Sequence, residues 1–200
     1  MTSQILEFTL AAFLMELTPG PNMTWLALLS AQHGRRTGLM AVGGIGLGLA
    51  LLAAAAAVGA TTLLTVYPLA FDALRWAGAA FLFYLAFDAW VGERPGTAGS
   101  EVSRSFWRGV IVNLLNPKAA LVFVVLVPSF LDASQPLLPQ TVLLSTIYVA
   151  IATAVHTAIA VFAGSFQRLL MEPGREIIAR RICAGVLVVI AVWFLLTSAR

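Results

Sequence analysis

Three ionisable side chains stand inside long apolar stretches of this 200-residue chain: Glu16, Lys118 and His156. A charge at the centre of a bilayer costs about 2.5–3.5 kcal/mol on insertion scales, so a buried ionisable group there marks a functional site by default. Glu16 and Lys118 each fall near the middle of their stretch. They can pair with one another as a purely structural ion pair. They can also serve the two ends of a zwitterion, Lys118 meeting a carboxylate and Glu16 meeting an ammonium or carrying a proton. His156, in IATAVHTAIAV, titrates near neutral pH and is a second proton-coupling candidate. Its plainer role is a hydrogen bond to a neighbouring helix.

Both charged residues sit beside a helix breaker. MELTPGPNMTW (15–25) carries Pro19, Gly20 and Pro21, and NLLNPKAALVF (113–123) carries Pro117. Proline has no N–H and its ring clashes with the carbonyl four residues back. Pro19 is expected to free the carbonyls near Met15 and Glu16, and Pro117 those near Asn113 and Leu114. In lipid such groups cost several kcal/mol each unless protein or a water-filled cavity satisfies them. The residues after each proline start a new half-helix whose N–H groups and dipole suit an anion. Freed carbonyls suit a cation. A packing kink with no ligand is the simpler account of one such break. Two at matching places argue for a binding site, expected to involve Glu16, Thr18, Pro19, Gly20, Pro21, Asn22, Asn113, Asn116, Pro117 and Lys118.

Composition says what must hold these residues. The chain is 60% hydrophobic and 10% charged, against about 25% charged in soluble domains, and its mean hydropathy is +0.93. A spanning helix needs ~20 mostly apolar residues, and six candidates read off at 5–29, 39–65, 70–91, 107–131, 138–165 and 178–198. The first has neither a basic start nor a cleavage site and is expected to be retained. Nine arginines (35, 36, 94, 104, 108, 168, 175, 180 and 181) fall in the odd-numbered connections. Basic short loops stay in the cytoplasm, which places both termini outside in a multi-pass protein of a bacterial-type inner membrane. Trp25, Trp90 and Trp107 are expected near the inner interface, Trp76 and Trp193 near the outer one. Asp88 is expected to pair with Arg94 or Arg35, and PLLPQ (136–140) and EPGRE (172–176) to form turns.

Pro117 follows Pro19 by 98 positions, and three crossings invert whatever follows them. The expected fold is an all-α integral membrane protein: one membrane domain over 1–200, with a three-helix repeat over 1–92 and a second, inverted one over 104–200. Broken helices one and four lead the two repeats, the pattern of a transporter site. Gly44 and Gly48 in span two allow close helix approach.

TPGPN, GRRTGLMAVGGIGLG, GAAFLFYLAFDAW and NPKAALVFVVLVPSFL together resemble the LysE/RhtB family of amino-acid exporters over nearly the whole chain. The resemblance implies a six-helix inner-membrane carrier, driven by proton gradient or membrane potential, that exports amino acids or related small metabolites. It implies Pro19, Gly20, Pro21, Asn22, Asn116, Pro117 and Lys118 as site residues. Glu16 enters the site on its own chemistry.

Other classes fit less well. A thiol oxidoreductase needs a cysteine in each repeat leader, and the single cysteine is Cys183. A cation or divalent-metal carrier wants clustered His, Cys or carboxylates, so no metal site is expected. A non-transporting scaffold leaves the paired breaks without a return. With no phosphate-binding loop, no ATP-driven cycle is expected; the spans leave no room for a soluble catalytic domain, so no enzyme activity or cofactor is expected, and the arginines read as orientation signals rather than a nucleic-acid patch. The expected partners are an amino-acid-like substrate and membrane lipids, with a homodimer left open by the small-residue faces.

Overall fold

The computed structural model describes residues 2–18, 20–59, 68–91, 98–167 and 176–197, which are helical almost throughout, with no strand among them. The helices are α1 (Thr2–Leu17), α2 (Pro21–Ala57), α3 (Pro68–Val91), α4 (Ala98–Leu114), α5 (Pro117–Ser129), α6 (Leu137–Gly164) and α7 (Glu176–Thr197).

α1 states the design in miniature. Leu6, Leu10, Leu14 and Leu17 point outward, while Phe8, Ala12 and Glu16 at four-residue spacing are buried. A soluble helix puts its polar face outward. Here the acid is inside and the leucines outside, and Phe87, Phe162, Ile182 and Leu196 continue the exposed apolar face on other helices. Such a surface fits a lipid solvent. Leu137–Gly164 is long and apolar enough to cross a bilayer, as is an 18-residue stretch within Pro21–Ala57, and Val102–Leu114 with Pro117–Ser129 makes a further pair bent by 54°.

α2 is a hairpin, not one rod. Gly34 takes φ 84°, a left-handed conformation that glycine adopts without strain. Ser30 and Gly38 would lie about 12 Å apart along a straight helix, yet a Cβ on Gly38 would strike the Ser30 hydroxyl. The chain therefore reverses at a single residue. The connection expected over 30–38 shrinks to that residue, and His33 is helical, its Nδ1 3.3 Å from the Leu29 carbonyl.

Side chains tie the helix ends to their neighbours. Gln4 Nε2 donates to the Phe130 carbonyl at 2.7 Å. Arg35, beside the hairpin turn, donates to the Val161 carbonyl at 3.2 Å and the Ser165 hydroxyl at 2.8 Å. The Arg181 guanidinium lies 5.3 Å from the Trp90 ring centroid. Asp88 is paired with Arg108. The expectation of Arg35 fails because Arg35 is held on α6; Arg94 lies outside the described residues. Trp90, Trp107, Trp76 and Trp193 are exposed as an interfacial belt would have them, but Trp25 is buried in the core. α2 runs past Trp25 to the turn at Gly34, and Trp25 is covered there together with Leu26 and Leu29. PLLPQ is mostly helical, since α6 starts at Leu137. EPGRE lies outside the described residues up to Glu176, where α7 starts.

The core is a tight crossing of α2 with α4 and α6. A Cβ on Gly44 would overlap the Phe106 carbonyl, and one on Gly48 would press on Asn113 at 3.0 Å. The small residues seen in the sequence thus bring two backbones together. In α5, residues Val122–Leu126 widen to a π-helical turn, the Val127 N–H reaching back to the Val122 carbonyl. This accommodates Pro128, whose ring would otherwise crowd the carbonyl four residues before it.

Candidate functional site

The first break falls between α1 and α2. Thr18 bonds back into α1, its N–H to the Met15 carbonyl at 3.2 Å and its hydroxyl to the Leu14 carbonyl at 3.3 Å. The Met15 carbonyl, expected to be free, is therefore taken. Pro19 lies outside the described residues. Gly20 is the extended N-cap of α2 and offers no capping side chain, with Pro21 next in the first turn. That order follows from Pro21, whose missing N–H is harmless at a helix start.

The second break falls between α4 and α5. The Asn113 carbonyl accepts from the Asn116 N–H at 3.1 Å. Asn116 is extended, and its Oδ1 accepts from the Lys118 N–H at 3.1 Å, capping α5 just ahead of Pro117. Asparagine here is the ordinary solution for a helix start.

The two breaks touch. Lys118 Nζ donates to the Thr18 carbonyl at 2.6 Å, and a Cβ on Gly20 would lie 3.4 Å from Lys118 Cδ. Residues 100 apart in the chain share one contact. Beneath it Asn22 Nδ2 donates to Asn113 Oδ1 at 3.0 Å, both side chains buried. Asn22 Oδ1 and Asn113 Nδ2 have no partner. Turning both amides over leaves the same balance, one free acceptor beside one free donor.

Glu16 does not pair directly with Lys118. Its Oε2 accepts from the Tyr148 hydroxyl at 3.2 Å, and its Oε1 lies 3.8 Å from His156 Nδ1. His156 Nδ1 is 2.6 Å from the Ala152 carbonyl. A carbonyl accepts only, so Nδ1 carries a hydrogen and neutral His156 keeps a bare Nε2. That nitrogen is buried and unpartnered. The separation has a simple cause. The buried face of α6, with Tyr148 and His156, lies against Phe8, Ala12 and Glu16 on α1, while Lys118 is drawn to the open carbonyl at the break.

Glu16, Gly20, Asn22, Asn113, Asn116, Lys118 and His156 thus line one cavity with Met23, Leu49, Ala119 and Tyr148. Its room for a water's centre is about 10 Å³, enough for about one water. Pro21 and Pro117 face a neighbouring cleft with Asn116, and Thr18 contributes its carbonyl. Tyr148 was not legible as a site residue: nothing in the apolar spacing of TVLLSTIYVA (141–150) says which face of span five meets Glu16. Among the described residues no three His, Cys, Asp or Glu side chains converge as a metal ion would need.

The LysE type translocator model matches residues 13–198. The chain belongs to that family. A homoserine/homoserine lactone efflux protein of Salmonella typhimurium is 30% identical over 83% of each chain. A leucine efflux protein of Enterobacter sp. (strain 638) is 28% identical over 85% of this chain and 83% of its own. An uncharacterized membrane protein of Vibrio cholerae is 31% identical over 84% of each. No solved structure matches.

Proposed function

We propose that this LysE-type translocator exports an amino acid or related small zwitterion across the bacterial inner membrane by alternating access, coupled to the proton gradient or membrane potential. In this reading the chain is one membrane domain of two inverted three-helix repeats, 1–92 and 104–200, with both termini outside and the odd-numbered loops cytoplasmic. The efflux activities named for the Salmonella and Enterobacter relatives support the substrate class.

The observation that carries the proposal is the bond from Lys118 to the Thr18 carbonyl. It is an internal stand-in for a zwitterion. A substrate carboxylate takes Lys118 Nζ, and its ammonium takes the carbonyl that Lys118 leaves. The Asn22–Asn113 pair offers the arriving molecule one more donor and one more acceptor. Because the cavity holds about one water, the state described is closed, and substrate enters when one repeat rocks against the other.

Glu16 and His156 are the proton-coupling groups. The bare Nε2 of His156 takes a proton without breaking the Nδ1 bond to Ala152. The test is uptake of an amino-acid panel, including homoserine and leucine, into proteoliposomes under an imposed pH gradient. Wild-type protein is expected to accumulate at least one, and Glu16→Gln to exchange it without pH dependence. A panel in which nothing moves under any gradient sinks the export reading. Full pH coupling in Glu16→Gln removes Glu16 as the proton carrier.

A further inference from the structure

A second cavity, of about 570 Å³, opens between the start of α1 and the start of α6. Gln4, Asp132, Gln140 and Leu144 are among its walls. Its walls mix polar and apolar side chains, and Asp132 supplies a carboxyl. The Ser134 hydroxyl and N–H both donate to Asp132 Oδ1, which holds that carboxyl below its usual range. Asp132 is therefore an anion at the rim.

From this cavity the buried face of α6 leads inward through Thr141, Ser145 and Tyr148, at i, i+4 and i+7. Residues so spaced lie along one helix face. The Thr141 hydroxyl is engaged by the Leu137 carbonyl at 3.0 Å. Ser145 Oγ is buried and has no partner. An orphaned buried hydroxyl is destabilising, and a water bonded to it would remove that cost. One turn further, the Tyr148 hydroxyl already donates to Glu16. The Phe123 ring meets the Tyr148 ring edge-on, centroids 5.6 Å apart, and Phe8 and Leu144 are buried in the same core.

We propose that this face is the proton path between the cavity and Glu16, separate from the route the substrate takes. A proton arrives from the cavity on a water at Ser145. Tyr148 hands its hydroxyl proton to the Glu16 carboxylate and takes one from that water, so the phenol is regenerated and one proton moves in all. The titratable groups facing Glu16 are Tyr148 and His156 from α6 and Lys118 from α5; α2 and α4 face the cavity with the neutral amides Asn22 and Asn113. The path rests on the coupling role given to Glu16 above.

The variant that isolates it is Ser145→Ala, which touches neither breaks nor Glu16. In proteoliposomes with labelled homoserine and leucine, pH-driven accumulation is expected to fall about tenfold, the loss of about one hydrogen bond in the relay. Counterflow at equal pH is expected to stay at the wild-type rate. Ser145→Thr, which keeps the hydroxyl, is expected to restore coupling. Unchanged coupling in Ser145→Ala overturns the path and leaves the export reading standing. Loss of counterflow along with coupling overturns it too, since Ser145 is then structural. If wild-type protein moves neither probe, the same comparison is made with the panel amino acid it does accumulate; if none moves under any gradient, the export reading has failed and the relay falls with it.

Discussion

The two helix breaks solve the same problem by opposite means. The break between α4 and α5 is closed by its own residues. Asn116 caps α5 with its side chain, and its N–H takes the Asn113 carbonyl. The break between α1 and α2 has no such cap: Gly20 offers no side chain, and the Thr18 carbonyl is satisfied from the other half of the chain by Lys118. One break is fixed by short-range chemistry, while the other is held by a single long side chain. A ligand that competes for Lys118 therefore loosens the first break and leaves the second intact.

The sharpest way to break this comparison is Lys118→Met. The Thr18 carbonyl would then be stranded at a cost of about 1–3 kcal/mol, read as a drop in Tm. Counterflow is expected to fall about a hundredfold or more, on the order of 2.7 kcal/mol. Survival of transport would mean the first break is not held as described. Next is the amide pair. Asn113→Ala strands Asn22, with an expected stability loss of about 1–3 kcal/mol. Replacing both amides by leucine is expected to return most of that stability while transport stays silent, which separates packing from recognition. Asn116→Ala tests the self-closed break and is expected to cost about 1 kcal/mol, with Asn116→Ser restoring it. The smallest effect belongs to Gly20→Ala. The added methyl meets Lys118 Cδ at ordinary contact distance, so a stability change within about 0.5 kcal/mol is expected. A large loss there would show the uncapped break to be tighter than the Lys118 bond implies.

Much of this site is legible in the sequence because prolines act locally. Pro117 and Pro21 announce helix starts whatever surrounds them, and Asn116 announces a cap. The proximity of the two breaks also follows, since matched interruptions invite a shared site. What does not follow is rotation about each helix axis. Glu16 reads as a partner for Lys118 because both lie at similar depth, but α6 presents Tyr148 and His156 to it first. Tyr148 is one aromatic residue in an apolar span, with no local mark of its role. Trp25 misleads for the same reason: depth is readable from spacing, while burial depends on which neighbour covers the face. Asp88 found Arg108 across a helix pair whose register no short-range pattern records.

The hairpin at Gly34 joins the two arms of α2 end to end. With one non-helical residue as its elbow, the arm from Pro21 joins the arm that follows through a single turn. That second arm is seated through Gly44 and Gly48 on the backbone of α4, whose far end is Asn113 at the other break. The path from the first break to the second thus runs through one turn residue and one close helix contact. In the export reading, a ligand at Thr18 would reach α4 along that path.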